Sequence, residues 1–236
     1  MTERGATHCH RDEHQFTVGP SQCRMEADTL VIDINEVAVP WPHRVCGQVR
    51  VRADTWFNFS TAIDPNGKHR WGPLAPSARI EVDLDHPAQR WQGHAYLDSN
   101  EGDEPIDHAC HEWDWSRSIL QDGSTAVIYD IQGKVGQPAD KLLALRFMND
   151  GSVQPFEAPP RQPMSATLWR IQRRMRSDSP VRVVDQLEDT PFYQRALLSS
   201  ELLGQTVQSF HETLYVPRLV SPLVQAMLPW RMPRRA

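Results

Sequence analysis

The sequence predicts an all-β protein, a barrel or sandwich of short strands, and three observations predict it. Apolar residues recur with a period of two rather than 3.6 along much of the chain. Turn signals separate the alternating runs, and 19 prolines among 236 residues leave little room for long helices. Eight tryptophans against seven phenylalanines add large flat apolar surfaces, which suit an aromatic-lined cavity.

The elements follow in order. Residues 30–37 read as the first strand. Val45, Gly47, Val49 and Val51 then alternate with Arg44, Cys46, Gln48, Arg50 and Arg52, the pattern of a half-buried strand. A turn follows at Asp64, Pro65, Asn66 and Gly67. Ala78, Ile80, Val82 and Leu84 alternate with Arg79, Glu81 and Asp83, and Trp91, Gly93, Ala95 and Leu97 alternate with Gln92, His94, Tyr96 and Asp98. Trp113 and Trp115 fall on one face of a strand. Residues 124–131, 142–147, 167–176 and 206–216 read as further strands. Asp122-Gly123, then Asn149, Asp150 and Gly151, then Ala158, Pro159 and Pro160 are the turns between them. Two short helices are expected, at 194–203 and 220–228.

Composition narrows the function. Hydrophobic residues make up 39% and charged residues 23%, a globular rather than a disordered balance. No apolar run is long enough for a transmembrane helix, and the polar first residues carry no secretory apolar segment. A net charge of -5 argues against a nucleic-acid partner. Cys9, Cys23, Cys46 and Cys110 form no paired spacing, so reduced thiols in a cytoplasmic setting are expected. Charge is uneven: residues 1–160 carry net -10 and residues 161–236 net +5. The basic part includes Arg170, Arg173, Arg174 and Arg176, then Arg218, Arg231, Arg234 and Arg235. It reads as a solvated strand face with a ragged tail, or as a contact with an anionic membrane surface.

Chemistry concentrates in one region. On a strand, His94, Tyr96 and Asp98 point the same way, and His69 and Trp71 share that spacing just after a turn. Two strands thus offer His, Trp, Tyr and Asp to one cavity. The competing reading, which spacing by itself favours, has Asp98 opening a surface loop and the aromatics in the core. The acidic run from Asp98 lacks the glycine that a calcium loop needs at its sixth position, where Asp103 stands. His108, Cys110 and His111, and likewise His8, Cys9, His10 and His14, lack regular zinc spacing, so no metal is expected. Nucleotide-binding and nucleophile-elbow motifs are absent from the sequence. The apolar segment 219–235, with its basic end, is expected to close the barrel or to lie at an anionic lipid surface.

Beyond these patterns, the chain resembles the carotenoid 1,2-hydratase (hydroxyneurosporene synthase) family. The resemblance rests on MTERG at 1–5, HRW at 69–71, WQGHAYLDSNEGDEP at 91–105, WDWSR at 113–117, LEDTPFY at 187–193 and MLPWRMPR at 227–234. It implies tandem lipocalin-like β domains, here 1–88 and 89–236, with the site where they meet. Relative to the family the chain begins late, so early strands of the first domain are missing and unpaired edges are expected. The implied reaction is cofactor-free addition of water to the terminal double bond of an acyclic carotene such as neurosporene or lycopene, giving a tertiary alcohol. The implied catalytic set is Asp98, His69, Trp71 and Tyr96, with Asp98 as the proton donor; in the mechanism expected from it, His69, with Tyr96 or the returning carboxylate, orients the water and takes its proton. That set coincides with the two-strand grouping above and reverses the balance between its two readings. His94, Trp113 and Trp115 are the candidates for contacting substrate. The partners implied are the carotene and water, with other carotenoid-pathway enzymes as neighbours. The implied place is cytoplasmic, peripheral to the inner membrane, through the basic apolar C-terminus. A lipocalin-like carrier and a prenyl-chain cyclase are the alternatives.

Overall fold

The computed structural model describes residues 3–38, 41–134, 140–231 and 234–235. In chain order the strands are β1 (Glu3–Arg4), β2 (Cys9–Arg11), β3 (Gln15–Val18), β4 (Ser21–Glu26), β5 (Thr29–Ala38), β6 (His43–Ala53), β7 (Thr61–Ala62), β8 (His69–His86), β9 (Gln89–Gly102), β10 (Cys110–Ile119), β11 (Thr125–Gly133), β12 (Lys141–Phe147), β13 (Val153–Pro155), β14 (Arg161–Met164), β15 (Arg173–Arg176), β16 (Arg182–Asp189), β17 (Tyr193–Leu202), β18 (Gln205–Tyr215) and β19 (Arg234–Arg235). Two short helices, α1 (Val216–Leu219) and α2 (Pro222–Arg231), follow β18. The all-β class is as the alternation predicts.

The chain forms two compact units, each assembled from separate stretches. One comprises Met1–Trp56, Ala75–Leu97 and Gln225–Ala236, and the other Phe57–Leu74 and Asp98–Val224. Gln89, where the second domain is expected to start, is the first residue of β9.

In the first unit the antiparallel order runs β2-β3-β4-β5-β6-β8. Its core is Val51, Ala75 and Ala78, packed by Leu30, Val49, Ala53, Ile80, Ala95 and Leu97. These are the apolar members of the alternating runs, brought to one face by the pleat.

The second unit is built on a seven-stranded antiparallel sheet, β13-β12-β11-β10-β18-β17-β16. Nearly every residue of β10 and β11 is buried or half-buried, because both faces of these central strands are covered. One face packs Leu120, Ala126, Ile128, Ala144, Leu202 and Val207 together, and Ala196 and Leu198 join Met175 of β15. The opposite face carries Trp113, Trp115, Val127, Tyr129 and Ile131, which the register places side by side on β10 and β11.

The first face also holds charge. Asp114 lies directly opposite Asp130 across β10 and β11. Like charges so placed repel unless cations answer them. The β14–β15 hairpin supplies those cations. Arg161 donates to both Asp130 oxygens, Nε to Oδ2 at 2.8 Å and Nη2 to Oδ1 at 2.5 Å, and Arg176 Nε donates to Oδ2 at 2.7 Å. Arg174 pairs with Glu112 and lies 3.9 Å from Asp114. Arg173 is buried and donates to Gln194, Gln186 and the Ser165 carbonyl.

Three expectations change here. Arg173, Arg174 and Arg176 are neither a solvated face nor open to lipid: they neutralise carboxylates or hold amides inside the second unit. The uneven charge along the chain is therefore complementary in space. Residues 194–203 form strand β17 rather than a helix. Gln194, Ala196, Leu198, Ser200 and Leu202 all point inward, so two polar inward residues disguise the alternation. Of the run 167–176, only Arg173–Arg176 is strand, because a turn from Thr167 to Arg170 reverses the chain, with Arg170 at φ 57°. The expected C-terminal helix is α2. The side chains of Trp230, Arg231, Arg234 and Arg235 lie outside the described residues.

Burial pushes the Asp130 carboxyl up, but the hydrogen bonds and charges of Arg161 and Arg176 outweigh it and hold the group below its ordinary 3.8. A depressed carboxyl contributes stability that is complete above the unfolded value and is lost as pH falls through the folded one. Asp130→Asn is expected to cost about 3 kcal/mol at pH 7, the low end for removing one partner of a buried pair, since Arg161 keeps 34% of its side chain exposed. Urea unfolding of both proteins checks this. The gap should begin to narrow below about pH 4 and close only once pH has fallen through the lowered folded value, where wild type protonates Asp130.

Candidate active site

The site begins at the turn that enters β8. The buried Asp64 carboxylate accepts backbone N–H groups from Asn66 at 3.0 Å, Lys68 at 3.3 Å and His69 at 2.7 Å. Burial raises this carboxyl, and the three backbone donors outweigh burial and lower it. Gly67 sits at φ 69°, a conformation that glycine adopts without strain. Turn chemistry thus sets where His69 enters the strand.

His69 is 4% exposed. Its Nε2–H donates to the Glu104 carbonyl at 2.9 Å. The ring lies against Gly102, where an added Cβ would come within 2.9 Å of His69 Cδ2. Only glycine lets the end of β9 approach so closely.

Two residues along β8, Trp71 is 1% exposed. Its indole Nε1–H donates to Asp98 Oδ2 at 2.9 Å. Around it stands an aromatic cluster with rings edge to face, the arrangement their quadrupoles favour. Trp71 meets Tyr129 at 5.5 Å and Phe147 at 6.4 Å between centroids. Phe57 and Phe59 meet Phe147, and Trp113 meets Tyr129 at 5.9 Å. Tyr129 is held far above the ordinary phenol value by burial, with Cys110, Asp98 and Glu212 adding to it, so it stays protonated.

The structure therefore brings Asp98 and Trp71 into direct contact and puts His69 on the same strand as Trp71. Asp98 itself is half-buried. Trp113 joins the cluster through Tyr129, and Trp115, on the same face of β10, is buried opposite Tyr129 in the register. Tyr96 is half-buried two residues before Asp98 on β9. It belongs to the first unit's stretch of that strand and Asp98 to the second's. His94 is exposed, and its Nε2 accepts a hydrogen bond from Arg79 at 3.2 Å. Among the described residues no three His, Cys, Asp or Glu side chains converge as a metal site. His108 is exposed with its Nδ1 3.8 Å from Glu104. Cys110 is buried and its thiol is pushed up to about 12 by burial.

Sequence reading missed Asp64, Tyr129, Phe147, Phe57 and Phe59. Asp64 was legible as a turn residue, but nothing local marks its contact with His69. Tyr129 and Phe147 sit in correctly read strands, yet which face they share with Trp71 depends on strand pairing.

A family model described as carotenoid hydratase CrtC matches residues 1–236. The chain is 53% identical to an acyclic carotenoid 1,2-hydratase of Rubrivivax gelatinosus over 238 residues, covering 100% of this chain and 58% of that protein. Identity to the enzyme of that name from Thiocapsa roseopersicina is 44% over 237 residues, covering 99% and 58%. For that of Cereibacter sphaeroides the identity is 33% over 239 residues, covering 100% and 84%. The chain thus spans less than two thirds of the length of the first two. The HRW and WQGHAYLDSNEGDEP segments that bear the resemblance are the same two strands that bring Trp71 and Asp98 together, and the chain belongs to the carotenoid hydratase CrtC family.

Proposed function

We propose that this chain carries the acid-catalysed hydration of the terminal C=C of an acyclic carotene, with Asp98 as the proton donor. The observation that carries the reading is the Trp71 indole N–H on Asp98 Oδ2 beside a buried aromatic cluster. An indole N–H can only donate. In the neutral acid Oδ2 is therefore the accepting, carbonyl-type oxygen, and the transferable proton sits on Oδ1.

Protonating an isolated alkene is difficult because no heteroatom shares the resulting charge. Asp98 gives its Oδ1 proton to the less substituted alkene carbon, and the π pair forms the new C–H bond. A tertiary cation remains at the dimethyl carbon. Aromatic faces such as that of Trp71 stabilise such a cation by roughly 0.5–2 kcal/mol each when dry. Water then adds to the cation through its lone pair. The oxonium then returns one proton to the Asp98 carboxylate, which restores the acid. Atoms and electrons balance as alkene plus water giving tertiary alcohol, so no redox partner is called for.

Carotenes dissolve in lipid rather than water, so we further propose peripheral membrane contact. Its support is the loop bearing Leu168, 86% exposed, and Trp169, 46% exposed, next to the exposed Arg170, together with Leu223 of α2 at 72%. An apolar tip beside a cation suits an anionic lipid surface. No helix of the described residues is long and apolar enough to cross a membrane.

Asp98→Asn should cut alcohol formation from lycopene by about 10²–10⁴-fold with an unchanged circular dichroism spectrum. Full turnover in that variant ends the assignment. In oxygen-18 water the product hydroxyl should carry the label, whereas a cyclised, unlabelled product would make the chain a cyclase. Ligand binding without product in either protein would make it a carrier. Trp71→Phe keeps the ring but loses the donor, and kcat should fall roughly ten-fold, the worth of one hydrogen bond to a carboxyl group. Leu168→Ser with Trp169→Ser should reduce co-flotation with anionic vesicles, and unchanged flotation would discard this contact.

A further inference from the structure

His69 has a second ring nitrogen, and its surroundings differ from those of Nε2. Nδ1 has no hydrogen-bond partner among the described residues, although the side chain is buried. Its nearest charged atom is Asp64 Oδ1 at 3.6 Å, beyond hydrogen-bond reach. The ring borders a hollow of about 10 Å³ whose lining includes Ile63, Asp64, Ile106, Cys110 and Ile131. A single water needs roughly this volume and two or more polar partners. A water there would donate one hydrogen to Asp64 Oδ1 and the other to Nδ1. The third polar wall, the Cys110 thiol, directs its hydrogen to the carbonyls of Glu112 at 3.5 Å or Gln132 at 3.8 Å.

We propose that one water binds in this hollow between Asp64 and His69 Nδ1, and that Asp64, this water, His69 and the Glu104 carbonyl form a rigid frame positioning Asp98. His69 is then a positioning residue rather than the acceptor of the substrate water's proton. The role of the frame follows from where it grips. His69 Nε2–H holds Glu104, the Asp103 N–H donates to the Lys68 carbonyl at 2.9 Å, and the His69 ring fills the space left by Gly102. Three contacts thus fasten the end of β9 and the residues just after it to the start of β8, four to six residues from Asp98. Both imidazole nitrogens are committed inside the frame, so neither is free to work on a substrate. The last step of the inference rests on the hydratase reading; the water site does not.

Two measurements separate these parts. Long-range proton–nitrogen spectra of the histidine-labelled chain should show His69 as the Nε2–H tautomer, with an unprotonated Nδ1 and cross-relaxation from water to its Hε1. A protonated Nδ1 bonded directly to Asp64, or no transfer from water, overturns the site. Asp64→Asn keeps an acceptor for the backbone donors but loses the charge, so the single tautomer should become a mixture and kcat should fall about ten-fold at unchanged KM. His69→Gln separates positioning from proton transfer, because its amide N–H still reaches for the Glu104 carbonyl but cannot act as a base. It should retain about a tenth of the wild-type kcat, whereas His69→Ala should lose more. A His69→Gln variant as inactive as Asp98→Asn overturns the positioning role. If wild type itself forms no tertiary alcohol, the hydratase reading fails while the spectra still decide the water site and the frame.

Discussion

The hydrogen bond from the Trp71 indole to Asp98 is the contact on which the candidate site depends. A carboxyl group on a strand end is ordinarily a solvated group with many orientations. Here one oxygen is claimed by a donor that is itself 1% exposed and wedged edge-on against Tyr129 and Phe147. Trp71 has no freedom to follow a moving carboxylate, so Asp98 conforms to the indole. Orientation of this kind is worth more to a proton transfer than the modest energy of the bond suggests. The proposed chemistry needs such rigidity, since a weakly basic alkene tolerates little error in the direction of the proton.

The rigidity has its source in the packing of the second unit. Aromatic rings line one face of the central strands β10 and β11, and charged pairs lie on the other. The charged face holds Asp114 opposite Asp130, a like-charge pair that the β14–β15 arginines neutralise. Those arginines come from the basic part of the chain and the carboxylates from the acidic part. Fold stability and site geometry thus occupy opposite faces of the same strands. Substitutions in the ion pairs are felt as stability, and those among the rings as orientation.

Much of this was legible in the sequence. Period two marked β6, β8 and β9, and the turn signals bounded β5, β11, β12 and β18. The i, i+2 spacings put His69 with Trp71 and Tyr96 with Asp98 before any fold was known. The misread elements share one cause. β17 turns Gln194 and Ser200 inward, and its leucines and alanine favour helix locally, so tertiary burial overrode local propensity. Residues 167–172 carry strand-like composition, yet a left-handed residue at Arg170 turns them. The arginines at 173, 174 and 176 look exposed in one dimension because their partners lie 46 to 62 residues earlier in the chain or, for Gln194, 21 later.

The sequence alone determined the all-β class, the turns and the residue types able to move a proton, since these depend on neighbours within a few positions. Only the tertiary structure decided that Trp71 would hold Asp98 across 27 residues and that Tyr129 and Phe147 would wall it. Those contacts are set by strand register, in which a shift of one residue turns every side chain to the other face, and no local pattern records which register wins.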